Sequence, residues 1–232
     1  MTTLKITLEN KHKYIDERGN LTVPEGIQIV VCSNNKLTCL IVPEGIQQLH
    51  CSDNKLTCLV VPNGMQQLHC SRNKLTSLIV PKGIQNLGCS DNKLTSLDVP
   101  EGIKKLVCSY NKLTSLIVPE GIKMLYCSHN ELICINFKSP ESLKYIDIEN
   151  NENLVYPPKE YCSKSTKKII KYCKENKIPQ KLLLSERWEE RWNIIKPMYI
   201  AHYKKSLDSE SENFNMIPIE VITGTITRYV LT

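Results

Sequence analysis

Apolar and polar positions recur along most of this chain on a fixed beat. In Ile46-Gln47-Gln48-Leu49-His50-Cys51-Ser52-Asp53-Asn54-Lys55-Leu56, Leu49 and Cys51 alternate with His50, the period-two pattern of a short strand. The same unit returns every 19 residues: the asparagines fall at 35, 54, 73, 92, 111 and 130, and prolines at 24, 43, 62, 81, 100 and 119 keep step. A looser seventh copy follows at Leu143-Lys144-Tyr145-Ile146-Asp147-Ile148-Glu149-Asn150-Asn151. No unit can bury its apolar side alone, whereas stacked units share one continuous core. With neighbouring strands about 4.8 Å apart, seven rungs predict a parallel sheet roughly 30 Å long.

The recurring asparagine has a different role. Where the chain turns inward after the strand, backbone groups lose their ladder partners. A buried carboxamide has two donors and an acceptor with which to satisfy them and to bridge adjacent coils. The Pro-Glu-Gly step turns the chain at the opposite edge, since Pro presets φ and Gly admits φ > 0. This half of the unit leaves no room for a helix.

The pattern Ile46-x-x-Leu49-x-Cys51-x-x-Asn54-x-Leu56 resembles the leucine-rich-repeat consensus over about residues 23 to 154. The short unit is similar to the repeats of bacterial effector proteins and of giant-virus leucine-rich-repeat proteins. The resemblance implies an α/β-type solenoid with a parallel sheet on its concave face and macromolecular recognition as its task. It also suggests a substrate-binding adaptor in a ubiquitin-ligase or host-manipulation system.

Solenoid ends need caps. Leu4, Ile6 and Leu8 alternate with polar residues, and Tyr14-Ile15, a turn over Glu17 to Asn20, then Leu21-Thr22-Val23 predict a hairpin. The expected organisation is therefore an N-terminal β cap over 1–22, the solenoid over 23–155 and a mostly helical segment over 156–232. Pro157-Pro158 marks the second boundary. Ser165 is placed to cap a helix with Ile169, Tyr172 and Cys173 on one face. A second helix is expected from about Ser185, with Trp188, Trp192, Ile195 and Tyr199 on one face, and residues 216–231 are β-prone. This segment is either a cap or a small domain, and its tryptophan stripe reads more readily as core than as a docking face.

Composition narrows the function classes. The 232 residues are 41% hydrophobic and 23% charged, as in a soluble globular chain. The N-terminus shows no basic-then-apolar leader, and no apolar run reaches the roughly 20 residues of a membrane span, so a soluble cytoplasmic protein without membrane contact is expected. A net charge of +6 is modest, and nucleic acid is not the expected partner. No cofactor is expected, and a monomer is.

Eleven cysteines suggest disulfides until their placing is seen. Cys32, Cys51, Cys70, Cys89, Cys108 and Cys127 form one column, and Cys39, Cys58 and Cys134 share another with Ser77, Ser96 and Ser115. Columns of this kind read as small buried side chains, where a catalytic thiol stands alone beside a base. Cys51-Ser52-Asp53 and Cys89-Ser90-Asp91 resemble the Cys-x-Asp motif of bacterial effector ubiquitin ligases. Both lie inside the repeat, and the C-terminal remainder is short for a catalytic domain. With no nucleotide loop, HExxH or G-x-S-x-G motif present, no enzymatic activity is expected.

The binding candidates are the outward positions of the strands. Gln48, His50, Gln67, His69, Lys105, Tyr126, Tyr145 and Asp147 flank the core positions, and Arg72, Asp91, Tyr110 and His129 follow just beyond, beside Asp53. These positions vary between units whereas the scaffold does not. Tyrosines gather toward the C-terminal half, where they supply contact area with a polar tip. The concave face is thus expected to bind a protein. His50 and His69 occupy neighbouring rungs but lack an evident third metal ligand. Lys36, Lys55, Lys74, Lys93 and Lys112 stack along one edge. That edge reads first as a solvated guard against aggregation and second as a polyanion site.

Overall fold

A computed structural model describes residues 2–176. The helix expected from Ser185, its tryptophans and the β-prone tail lie outside the described residues. The repeat folds as a parallel-strand solenoid of about six turns. Its main sheet has eight strands in the order β1 (Thr2–Lys5), β2 (Ile27–Val31), β4 (Gln48–His50), β6 (Gln67–His69), β7 (Asn86–Gly88), β8 (Lys105–Val107), β10 (Met124–Tyr126) and β12 (Tyr145–Asp147). Every pair is parallel, and from β2 on the register joins equivalent residues of successive units: Leu49 faces Leu68, then Leu87, Leu106, Leu125 and Ile146.

The interior is built from the positions the repeat marks. Leu49, Cys51 and Leu56 are fully buried, as are their counterparts Leu68, Cys70 and Leu75 in the next coil. A second line runs through Met65, Ile84, Ile103 and Ile122, just before each strand. On the far side of the coils, two short parallel pairs form where Cys or Ser precedes a run of branched residues. β3 (Cys39–Ile41) pairs with β5 (Cys58–Val60), and β9 (Ser115–Val118) with β11 (Cys134–Phe137). The glycines of the Pro-x-Gly turns all have positive φ, from 78° at Gly121 to 92° at Gly83, as the turn chemistry requires.

The asparagine ladder is present in full. Asn111 Nδ2 donates to the carbonyls of Cys89, Cys108 and Ser109, at 3.0, 3.1 and 3.3 Å, and its Oδ1 accepts the Leu94 N–H at 3.0 Å. One carboxamide thus closes its own turn and joins it to the preceding coil. Two extra residues enter between the sixth and seventh units, and Asn151 rather than Asn150 takes the ladder place, accepting the Leu132 N–H at 3.1 Å. At the other end Asn35 donates to Ile6 O and Ser33 O, while its Oδ1 is buried without a partner because no earlier unit supplies an N–H.

The N-terminal cap differs from its expected form. β1 runs parallel to β2, so it is an extra rung of the main sheet, and Ile6 is buried at its end. The expected hairpin shrinks to one antiparallel bridge, Ile15 to Leu21, with a 3-10 turn at Lys11–Lys13 before it. Leu8 is 49% exposed, outside the alternation it was assigned to, because the strand ends at Lys5. The turn residue Gly19 (φ 85°) lies where a Cβ would stand 2.6 Å from Cys39 O, so only glycine fits there.

At the far end, helix α1 (Thr166–Glu175) buries Ile169 against the core. Ser165 occupies its N-cap position, but its side chain makes no capping bond. The connection is held by Tyr156, whose hydroxyl donates to Asn176 O at 2.8 Å, and by Ile146 N–H donating to Thr166 Oγ1 at 3.3 Å.

Candidate functional site

The main sheet turns one side to the core, and its other side carries residues that are mostly half-buried or exposed. Strand geometry decides which residues reach it, because side chains alternate across a strand. Three columns result. The first, at the strand ends, runs His50, His69, Gly88, Val107, Tyr126, Asp147; the second, at the strand starts two residues earlier, runs Gln48, Gln67, Asn86, Lys105, Met124, Tyr145. The third follows the strands and contains Asp53, Arg72, Asp91, Tyr110 and His129. The predicted partner-binding residues are all placed on these columns.

Register forces like residues together. The rings of His50 and His69 stack 4.8 Å apart and within 4° of parallel. Parallel rings at that separation point their ring nitrogens alongside one another, so they do not converge on a tetrahedral ion. Among the described residues no group of three or more metal-ligating side chains comes together. Burial, then the neighbouring His50 and Lys105, holds the His69 imidazole below the usual histidine range, which keeps it neutral at pH 7. His69 overhangs Gly88, where an added Cβ would stand 3.2 Å from its Nδ1.

The C-terminal coils carry the aromatic surface. Tyr110 stacks on His129 at 4.1 Å, and Tyr126 on Tyr145 at 4.8 Å with a 31° tilt. His129 Nε2 is 2.9 Å from Asn150 Nδ2, which extends this line by one coil. Asp147 accepts a 2.8 Å hydrogen bond from Ser128 Oγ, and Ser128 also meets Ser109 Oγ at 3.1 Å. Arg72 pairs with Asp53 one coil earlier at 3.3 Å on an exposed edge, a contact worth little on its own.

One property of the third column is invisible in the sequence. Asp53, Arg72, Asp91, Tyr110, His129 and Asn150 all have φ between 53° and 56°. This left-handed conformation suits Gly, Asn, Asp and, less strongly, His, and other side chains adopt it at a cost. The first and last coils carry Asn there (Asn34, Asn150), as the backbone prefers. Arg72 and Tyr110 go against that preference, so the turn does not dictate their identity.

No family model matches this chain, and no curated protein matches it. Among solved structures it is similar to YopM from Yersinia enterocolitica WA-314, with a TM-score of 0.49 and 24% identity over 56% of this chain and 35% of that one. The match thus spans about a third of that protein's length.

The cysteines separate into classes the sequence left joined. The column from Cys32 to Cys127 is buried throughout. Burial pushes the thiols of Cys32 and Cys70 up to about 12, far from the thiolate range. In the other column Cys58 is exposed, Cys39 is half-buried and Cys134 is buried. Burial, then a hydrogen bond to the adjacent Cys58 thiol, pushes Cys39 up to about 11. Iodoacetamide at mildly alkaline pH should therefore modify Cys58 of the native protein first and leave the six-membered column intact until denaturant is added. Peptide mapping that finds Cys70 or Cys89 alkylated in the native state would contradict this burial.

The lysine edge is also in place. Lys55, Lys74, Lys93 and Lys112 each donate a backbone N–H to the leucine carbonyl one coil earlier, as in Lys74 to Leu56 O at 2.9 Å. Their side chains, with that of Lys36, are exposed. Among the described residues no helix is long and apolar enough to cross a membrane.

Proposed function

We propose that this chain is a protein-binding module that takes its partner on the open face of the main sheet and catalyses no reaction. The observation that carries the reading is the Tyr110–His129 stack, in which Tyr110 sits on backbone with a left-handed φ that favours other residues. Tyr110, Met124 and Tyr145 are exposed large side chains on three successive coils of the same face. Exposed aromatic area beside polar groups is what protein interfaces use as anchors. The non-catalytic part of the proposal is supported by thiols raised by burial and by histidines held in a ring stack rather than beside a nucleophile.

Alanine at Tyr110 and Tyr126 together should weaken capture of the natural partner by about tenfold or more, whereas alanine at the exposed Ile79, outside the main sheet, should leave it unchanged. Hydrogen exchange on the complex should show protection along β6 to β12. A partner whose footprint maps only to the Lys36–Lys112 edge, and whose binding is lost on charge reversal of Lys55, Lys74 and Lys93, would replace this reading with polyanion binding.

A further inference from the structure

The strand entry edge of the main sheet changes chemistry halfway along. Gln28, Gln47, Gln66, Gln85, Lys104, Lys123 and Lys144 are joined by one unbroken series of backbone bonds, each N–H donating at 2.8 Å to the carbonyl of its predecessor. The first four coils place neutral amides there, and the last three place ammoniums. Lys105 adds a fourth at the start of β8, where the earlier strands carry Gln48, Gln67 and Asn86. The solenoid folds with glutamine at this position four times over, so its packing does not require the lysines. Like charges held one rung apart repel, which makes their adjacency a cost to the fold.

Nothing in the described structure offsets that cost. Among the described residues no carboxylate lies within ion-pairing distance of any of the four ammoniums, and the turn carboxylates Glu101 and Glu141 are engaged by Lys138 and Lys174 instead. Met124 and Tyr145 stand beside this edge, 38% and 44% exposed. We propose that the basic edge at Lys104, Lys105, Lys123 and Lys144 takes an acidic stretch of the partner protein, with an apolar side chain of that stretch resting on Met124 and Tyr145. This rests on the protein-binding reading and assigns the partner a chemistry. Three coils span about 10 Å, the reach of a short acidic motif. Nucleic acid gains its affinity from a longer series of phosphate contacts.

The test is fluorescence anisotropy on the full chain, with a rhodamine-labelled peptide of glutamates around one phenylalanine. A glutamine version of the peptide and a short oligo-dT are the comparison arms. The variant is Lys104→Gln with Lys123→Gln and Lys144→Gln, which extends the residue already present in four coils; an unchanged thermal melt shows that it folds. The glutamate peptide should bind, with affinity that falls as salt rises, and the triple variant should bind it about tenfold more weakly. The glutamine peptide should not bind. Equal binding of the acidic peptide by wild type and variant overturns the proposal, as does its failure to bind wild type. Tighter binding of oligo-dT that the variant loses assigns the edge to nucleic acid and overturns it too. If the natural partner is lost on mutating Tyr110 and Tyr126 but kept by the triple variant, this inference falls while the binding reading stands.

Discussion

Replacing Asn111 with leucine should lower the unfolding free energy by about 4 kcal/mol, measured by urea denaturation followed in the far ultraviolet. Leucine keeps the branched shape of asparagine, is somewhat larger, and has no polar atom. The substitution leaves the Cys89 and Cys108 carbonyls and the Leu94 N–H without the carboxamide that satisfied them, all in buried surroundings. A buried backbone group stranded in this way costs about 1–3 kcal/mol, and several are stranded together. The same change at Asn35 should cost about half as much, because that residue makes two such donations and its Oδ1 is already unpartnered. Equal losses at the two positions, or none at Asn111, would show that the carboxamides do not join the coils.

Leu106→Ala should cost about 3 kcal/mol through lost burial and the cavity left behind. Leu106 is fully buried, and its register partners on either side are Leu87 and Leu125. The consequence reaches beyond one coil. A solenoid is held by contacts between neighbours only, so a weak central rung uncouples the two halves. The denaturation profile of the variant should broaden and its apparent m-value fall as the halves begin to unfold separately. Leu106→Met, which conserves volume, should cost less than about 1.5 kcal/mol and keep the transition sharp. A Leu106→Ala variant with an unchanged midpoint would mean that the core is not continuous through β8.

Much of this architecture is legible in the sequence, because a repeat is an arithmetic fact about the chain. The beat of asparagines and prolines gives the parallel register. The alternation of Leu49 and Cys51 with His50 decides which side chains are buried and which reach the open face. Shared chemistry at one position, such as asparagine at the inward turn, signals a role that hydrophobicity cannot explain. The lysine and glutamine columns can be written down from the sequence as well.

Only the folded chain decides what the repeat does not encode. Residues 1–22 have no counterpart in the other units, so their period-two pattern could not reveal that β1 pairs parallel to β2 or that Leu8 lies outside the strand. Cys39, Cys58 and Cys134 are equivalent by position, yet Cys134 is buried because Tyr156 bridges to it, a contact made by chain that lies beyond the repeat. The left-handed backbone under Tyr110 and His129, and the stacking of their rings, follow from how successive coils settle on one another. Periodicity specifies which positions recur from coil to coil; distances and dihedral angles arise from packing between coils, where the non-repeating neighbours of each residue take part.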